Sequence, residues 1–152
     1  MKIKSVRYNN RKKAFIITAR DREWSFPYAK VDVKPTPDDP IADIYVDPEL
    51  AREGFTYILK SGREDSVLAD QFLDYNRDPA FLRDMMLYRL SLEAQKRVEA
   101  SGLAKREITR RLGTSAAQLY RLLDQTNYRK SIDQMLALLQ VLDCEVELTI
   151  RP

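Results

Sequence analysis

The 152 residues, 44% hydrophobic and 32% charged, suit one domain or two small ones and exclude a disordered chain. No run of about 18 apolar residues exists, so no segment reads as a membrane-spanning helix. Histidine is absent and cysteine occurs once, as Cys144, which removes the commonest general base and metal ligand and rules out an internal disulfide or a thiolate zinc site.

The remaining chemistry is sparse. Asp and Glu are scattered and mostly neighbour Lys or Arg, and the glycines Gly54, Gly62, Gly102 and Gly113 are too far apart for a phosphate loop. No catalytic residue, metal site or cofactor is therefore expected. The N-terminal "MKIKSVRYNNRKK" lacks the apolar core of a signal peptide, so the expected location is cytoplasmic, with no membrane partner. The formal charge of +3 is unevenly spread. Residues 1–80 carry 14 basic and 14 acidic side chains, whereas residues 94–130 carry nine basic against three acidic, a local excess that attracts nucleic acid or acidic surfaces.

In chain order, "KAFIITA" and "EWSFPYA" flank "RDR" as the two strands of a hairpin. "KPTPDDP" follows, and its three prolines make it a loop. "DPELAREG" reads as a short helix with Asp47 as cap, Pro48 in its first turn and Gly54 as its stop. "FTYILKSGREDSVLA" is a second strand–turn–strand unit. This half predicts a small antiparallel sheet with one or two short helices.

From "NRDPAFLRD" the periodicity becomes helical, with Asp78 as cap and Pro79 in the first turn. Phe81, Met85, Tyr88 and Leu92 form one apolar stripe, and Leu87, Leu90, Ala94 and Val98 another; Ser91 marks where one long helix would divide into two. Gly102 stops this run. A helix over Lys105–Leu112 keeps Ile108 and Leu112 on one face, Gly113 turns the chain, and Ser115 caps a helix whose Leu119, Leu122 and Leu123 share one side. Setting Leu119 inward places Ala117 and Arg121 on the exposed pole, with Gln118 on one flank and Tyr120 on the other. Ser131 caps a last helix, "IDQMLALLQVL". The alternation of Cys144, Val146, Leu148 and Ile150 with Glu145, Glu147 and Thr149 predicts a half-buried strand.

The segment "LAKREITRRLGTSAAQLYRLLDQTNYRKSIDQMLALLQVLDCEVEL" resembles the phage-repressor-like, or Xre-type, helix-turn-helix domain. The resemblance rests on Leu103, Glu107-Ile108, Arg111-Leu112-Gly113 with Ser115, the buried Leu119 and Leu122, and Asn127. It implies a bundle of four or five helices whose third enters the major groove of double-stranded DNA. Ala116, Ala117, Gln118, Tyr120 and Arg121 would then face base edges. Lys105, Arg106, Ser115, Tyr128, Arg129 and Lys130 would meet phosphates. The last helix and its terminal strand resemble the antitoxin-like branch, in which that strand often serves dimerisation. Four positions depart from the pattern: Thr109 replaces a small Ala, Lys105 a Gln, and Ala116 and Ala117 two polar base readers.

The fold class expected is α+β: a small antiparallel β-rich domain over residues 1–77, then an all-α helix-turn-helix bundle over 78–152 ending in a short β-strand. The function expected is a sequence-specific transcriptional regulator that places helix 115–124 in the major groove as a homodimer. Two alternatives stand beside it. One is an antitoxin-type repressor whose N-terminal half binds a partner protein; the other is a helix-turn-helix adaptor without DNA binding. A ligand-sensing, partner-binding or dimerising role is open for the N-terminal half.

Overall fold

In the computed structural model, which describes residues 1–152, the chain is α+β, with two three-stranded antiparallel sheets and five α-helices. It divides into two compact units, Met1–Phe81 and Leu82–Pro152.

The first unit holds both sheets. Strands β1 (Ser5–Asn9), β2 (Ala14–Ala19) and β3 (Arg22–Pro27) form one meander, and β4 (Ile41–Val46), β5 (Gly54–Leu59) and β6 (Glu64–Leu68) the other. The apolar runs "AFIITA" and "GFTYIL" become the two central strands and are buried almost throughout, the pattern of a strand whose two faces are both covered. Arg20 and Asp21 join β2 to β3 at positive φ, the mirror-image turn whose twist suits a tight hairpin. Phe15 is the centre of the core, with ring centroids 4.9 Å from Tyr28, 5.1 Å from Phe55 and 4.8 Å from Tyr57.

Helix α1 (Ala69–Tyr75) packs Phe72 and Leu73 into the same core, against β3 and β6. The short helix after Asp47 is a single 3-10 turn, Pro48–Leu50, with the Asp47 side chain accepting from the Glu49 amide. Gly54 does not stop it, as the sequence suggests; Ala51 ends the turn at φ 52°, and Gly54 opens β5. There a Cβ would come within 2.9 Å of the Val67 carbonyl, so the glycine serves close strand packing.

Helix α2 (Pro79–Ser101) is one continuous helix, which settles the alternative of a break at Ser91. Asp78 caps it by accepting from the Phe81 amide at 3.1 Å. The Ser91 hydroxyl donates to the Leu87 carbonyl, a local bond that leaves the helix ladder intact. Of the two apolar stripes, Leu87 and Ala94 are buried with Leu90 and Val98 packed beside them, while Tyr88 and Leu92 are exposed. Helices α3 (Lys105–Leu112), α4 (Ala116–Leu123) and α5 (Ile132–Val141) close the second core around Ile108, Leu119, Leu122, Met135 and Leu138.

The expected terminal strand does not form within the single chain. Residues 144–152 have no regular structure, and Leu148 and Ile150 are 78% and 82% exposed. A strand needs a neighbour for its backbone groups, and no edge of this second, all-helical unit supplies one. No helix is long and apolar enough to cross a membrane.

Candidate nucleic-acid interface

The candidate site is built on α3, the turn after it, and α4. Gly113 ends α3 in the left-handed region at φ 71°, and the Thr114 amide reaches back to the Thr109 carbonyl at 3.0 Å. Ser115 then caps α4, its hydroxyl oxygen accepting from the Gln118 amide at 3.1 Å. Ile108 of α3 and Leu119 and Leu122 of α4 are buried together, which fixes the two helices as a unit. Ala116, Ala117, Tyr120 and Arg121 are exposed and Gln118 is half-buried, so the five residues expected to face bases lie on the outward side of one helix.

Two flanks border that surface. On one, the Lys105 ammonium sits 4.8 Å from the centre of the Tyr120 ring, a cation–π contact that holds the 56% exposed tyrosine beside the start of α3. On the other, Gln118, Arg121, Asp124, Asn127 and Arg129 are among the residues that line a polar cleft of about 480 Å³. Asn127 organises this side: its amide nitrogen donates to the Arg121 carbonyl at 3.1 Å, and its oxygen accepts from the Arg129 amide at 3.1 Å. A base-reading candidate and a phosphate-binding candidate are thereby set around one opening.

The cations divide into those paired with a carboxylate and those without one. Glu107 accepts from Arg110 at 2.9 Å and from Arg111 at 3.0 Å. These two guanidinium groups hold its carboxyl at about 2, well below the usual range. Lys105, Arg106, Arg121 and Arg129 have no carboxylate within salt-bridge distance. Arg106 and Arg129 are exposed, as a phosphate contact requires, and the Ser115 hydroxyl keeps its proton for an outside acceptor. Tyr128 is half-buried and packs against the second core.

Lys130 does not belong to the phosphate set. It is only 7% exposed, and its ammonium donates to the Ser91 hydroxyl and to the carbonyls of Leu122 at 2.7 Å and Asp124 at 2.8 Å. All three of its protons are spent inside the protein. Burial lowers its pKa, partly opposed by the Asp124 carboxylate. Lys130 thus holds the C-terminal end of α4, whose partial negative charge it meets. Gln95 does the same from α2, donating to the Leu123 carbonyl at 2.6 Å and to Gln125 at 2.7 Å.

Ser91 and Gln95 are therefore the positioning residues that sequence reasoning missed. Ser91 carried a signal, a lone hydroxyl inside the Leu87–Ala94 stripe, but buried polar residues declare a partner only when that partner is known. No group of three or more acidic, Cys or His side chains is arranged to hold a metal ion. No family model matches the chain, and it has no significant match among curated proteins or solved structures.

Proposed function

We propose that this chain is a cytoplasmic, sequence-specific DNA-binding regulator that lays α4 in the major groove. The observation that carries the reading is the pairing of Arg121 and Arg129, two guanidinium groups without a carboxylate in salt-bridge distance, around one polar cleft that Gln118 and Asp124 also line, with Ala116 and Ala117 exposed at the start of the same helix. Ala116 and Ala117 allow close approach to the groove floor and can touch a thymine methyl, while Arg121 suits guanine O6 and N7. Arg129, Lys105, Arg106 and the Ser115 end of α4 face phosphates and set the register.

The active form in this reading is a homodimer whose tails complete the missing strand. Two copies of residues 145–151 pair antiparallel about Leu148, which places Val146 opposite Ile150 and Glu145 opposite Arg151, twice over. This register joins apolar to apolar and acid to base. The dimer reads a pseudo-palindrome with half-sites about one helical turn apart, roughly 34–36 Å.

A second reading, a protein-interaction adaptor, is favoured by the same bare Ala116 and Ala117, which offer no hydrogen bond to a base edge. Selection of binding sites from random duplex DNA at two salt concentrations separates the two. A regulator enriches a two-fold-related site and loses affinity steeply with salt as counterions are released. Absence of binding at low salt assigns the chain to the adaptor reading.

A further inference from the structure

The first unit carries a cleft that DNA binding does not use. It measures about 620 Å³, within the range of small-molecule sites, and is lined by the β1–β2 turn, the end of β3 and the proline loop. Its floor is apolar, made by Tyr28, Ala29 and the prolines Pro27, Pro35, Pro37 and Pro40. Lys12, Lys13 and Lys34 stand around it with Asn10, and no acidic side chain lines it.

The walls are fixed before anything binds. The Tyr28 amide donates to the Lys13 carbonyl at 2.9 Å, tying the floor to the β1–β2 turn. Across the cleft, Thr36 and Asp39 exchange backbone hydrogen bonds at 3.1 and 3.2 Å, and the Lys60 amide donates to the Pro40 carbonyl at 2.8 Å. The nearby Asp39 carboxylate is occupied by the Ser61 amide at 2.8 Å and hydroxyl at 2.7 Å. The prolines fix φ along the loop, so the wall has little freedom left to lose on binding.

Polar groups in the cleft point to one sign of charge. The Tyr28 hydroxyl donates to the Asn10 side-chain oxygen at 2.8 Å, which leaves the Asn10 amide nitrogen as a donor. Burial pushes the Tyr28 phenol up to about 12, so this arrangement holds through neutral pH. Lys34 is steadied by a 3.0 Å bond to the Val31 carbonyl and keeps two further protons to donate. The cleft thus offers donors and cations around an apolar floor.

From the largely apolar lining, its three lysines and the absence of any acidic residue among the lining residues, we infer that this cleft is a binding site for a small organic anion with a flat aromatic body. The ring lies on Tyr28 and the prolines, and the carboxylate meets Lys12, Lys13 or Lys34 together with the Asn10 amide. The site is independent of the DNA reading, and its occupancy is read without DNA.

The test titrates the full, isotope-labelled chain with indoleacetate, tryptophol and tryptamine, which share one indole body and differ in head-group charge. Amide resonances report where each binds. Indoleacetate is expected to bind saturably, shifting Lys12, Lys13, Tyr28, Ala29, Lys34 and Thr36, about tenfold tighter than tryptophol and tighter still than tryptamine. The Lys12→Glu/Lys34→Glu pair, at two exposed positions, reverses that preference, and Ala29→Trp fills the cleft and abolishes binding of all three. Equal binding of indoleacetate and tryptamine, shifts scattered over the surface, or no saturable shift overturns the assignment. The head-group series on the unaltered chain decides even if a variant does not fold.

Discussion

The Lys130 ammonium donates to the hydroxyl of Ser91, thirty-nine residues earlier, and so joins the loop after α4 to the middle of α2. The same ammonium closes the carbonyls of Leu122 and Asp124, while Asn127 closes that of Arg121 and Gln95 that of Leu123. The last turn of α4, whose carbonyls have no partner inside the helix, is therefore satisfied by side chains from three places in the chain. These contacts fix the angle at which α4 presents its outward face.

Lys130→Met keeps the length of the side chain but leaves two carbonyls and a hydroxyl without their donor. It is expected to destabilise folding by roughly 2–4 kcal/mol in denaturant titration. Because burial lowers the folded pKa of Lys130, the unfolded chain retains this proton to higher pH than the folded chain. Stability from this group rises with pH between the lowered folded pKa and the ordinary lysine value, and the variant loses that alkaline slope. A small stability change combined with a shallower salt dependence of DNA binding would return Lys130 to the phosphate set.

Arg121→Ala and Arg129→Ala distinguish the two jobs assigned to one cleft. Loss of Arg121 is expected to flatten preference at one position of the selected site, at a cost of roughly 1–3 kcal/mol against the preferred sequence. Loss of Arg129 should weaken all sequences alike and reduce the salt slope by about 1. Both side chains are exposed, so melting temperatures should stay near that of the parent. Binding selections and salt titrations on the two variants check the assignment, and a swap of their effects would reverse it.

The Glu107 fork sets an acid limit on the same unit. Its carboxyl titrates at about 2 when folded, below the ordinary glutamate value near 4.5, because Arg110 and Arg111 stabilise the charged form. The contribution is complete above pH 4.5 and is lost as pH falls toward 2. Glu107→Gln is expected to remove that part of the acid slope and, by freeing two guanidinium groups, to raise affinity for DNA of any sequence. Acid unfolding curves and a non-specific duplex measure the two effects.

Local signals carried most of the helical half. Asp78, Ser115 and Ser131 cap where their spacing places them, and Gly113 turns between α3 and α4, because caps and turns depend on residues three or four apart. Strands β1 and β4 were illegible. "SVRYN" has a single half-buried apolar side chain, Val6, and "IADIYV" is split by an irregularity between Ile41 and Asp43, so neither shows a clean period of two. At the candidate site, the outward set of α4 follows from helical geometry alone. The burial of Lys130 does not, since a lysine in a basic run looks the same whether it faces phosphate or a cage of carbonyls.

The tail supplies the sharpest test of the dimer. Within one chain Val146, Leu148 and Ile150 are exposed in a segment without regular structure, although they alternate as a strand would. Antiparallel pairing about Leu148 puts each Glu145 opposite an Arg151, so Glu145→Arg sets two pairs of like charges face to face. With cross-strand pairs worth about 0.2–1 kcal/mol each, this should weaken the dimer about tenfold. Adding Arg151→Glu restores opposite charges and should restore the dimer, an outcome that a general loss of apolar contact cannot produce. Leu148→Asp places two carboxylates at the two-fold axis and should leave only monomer. A two-stranded ribbon is marginal in water, so dimerisation is expected near the micromolar range and stronger on a two-half-site duplex. Sedimentation equilibrium of the four proteins decides the register; a dimer indifferent to both charge changes would place its interface elsewhere.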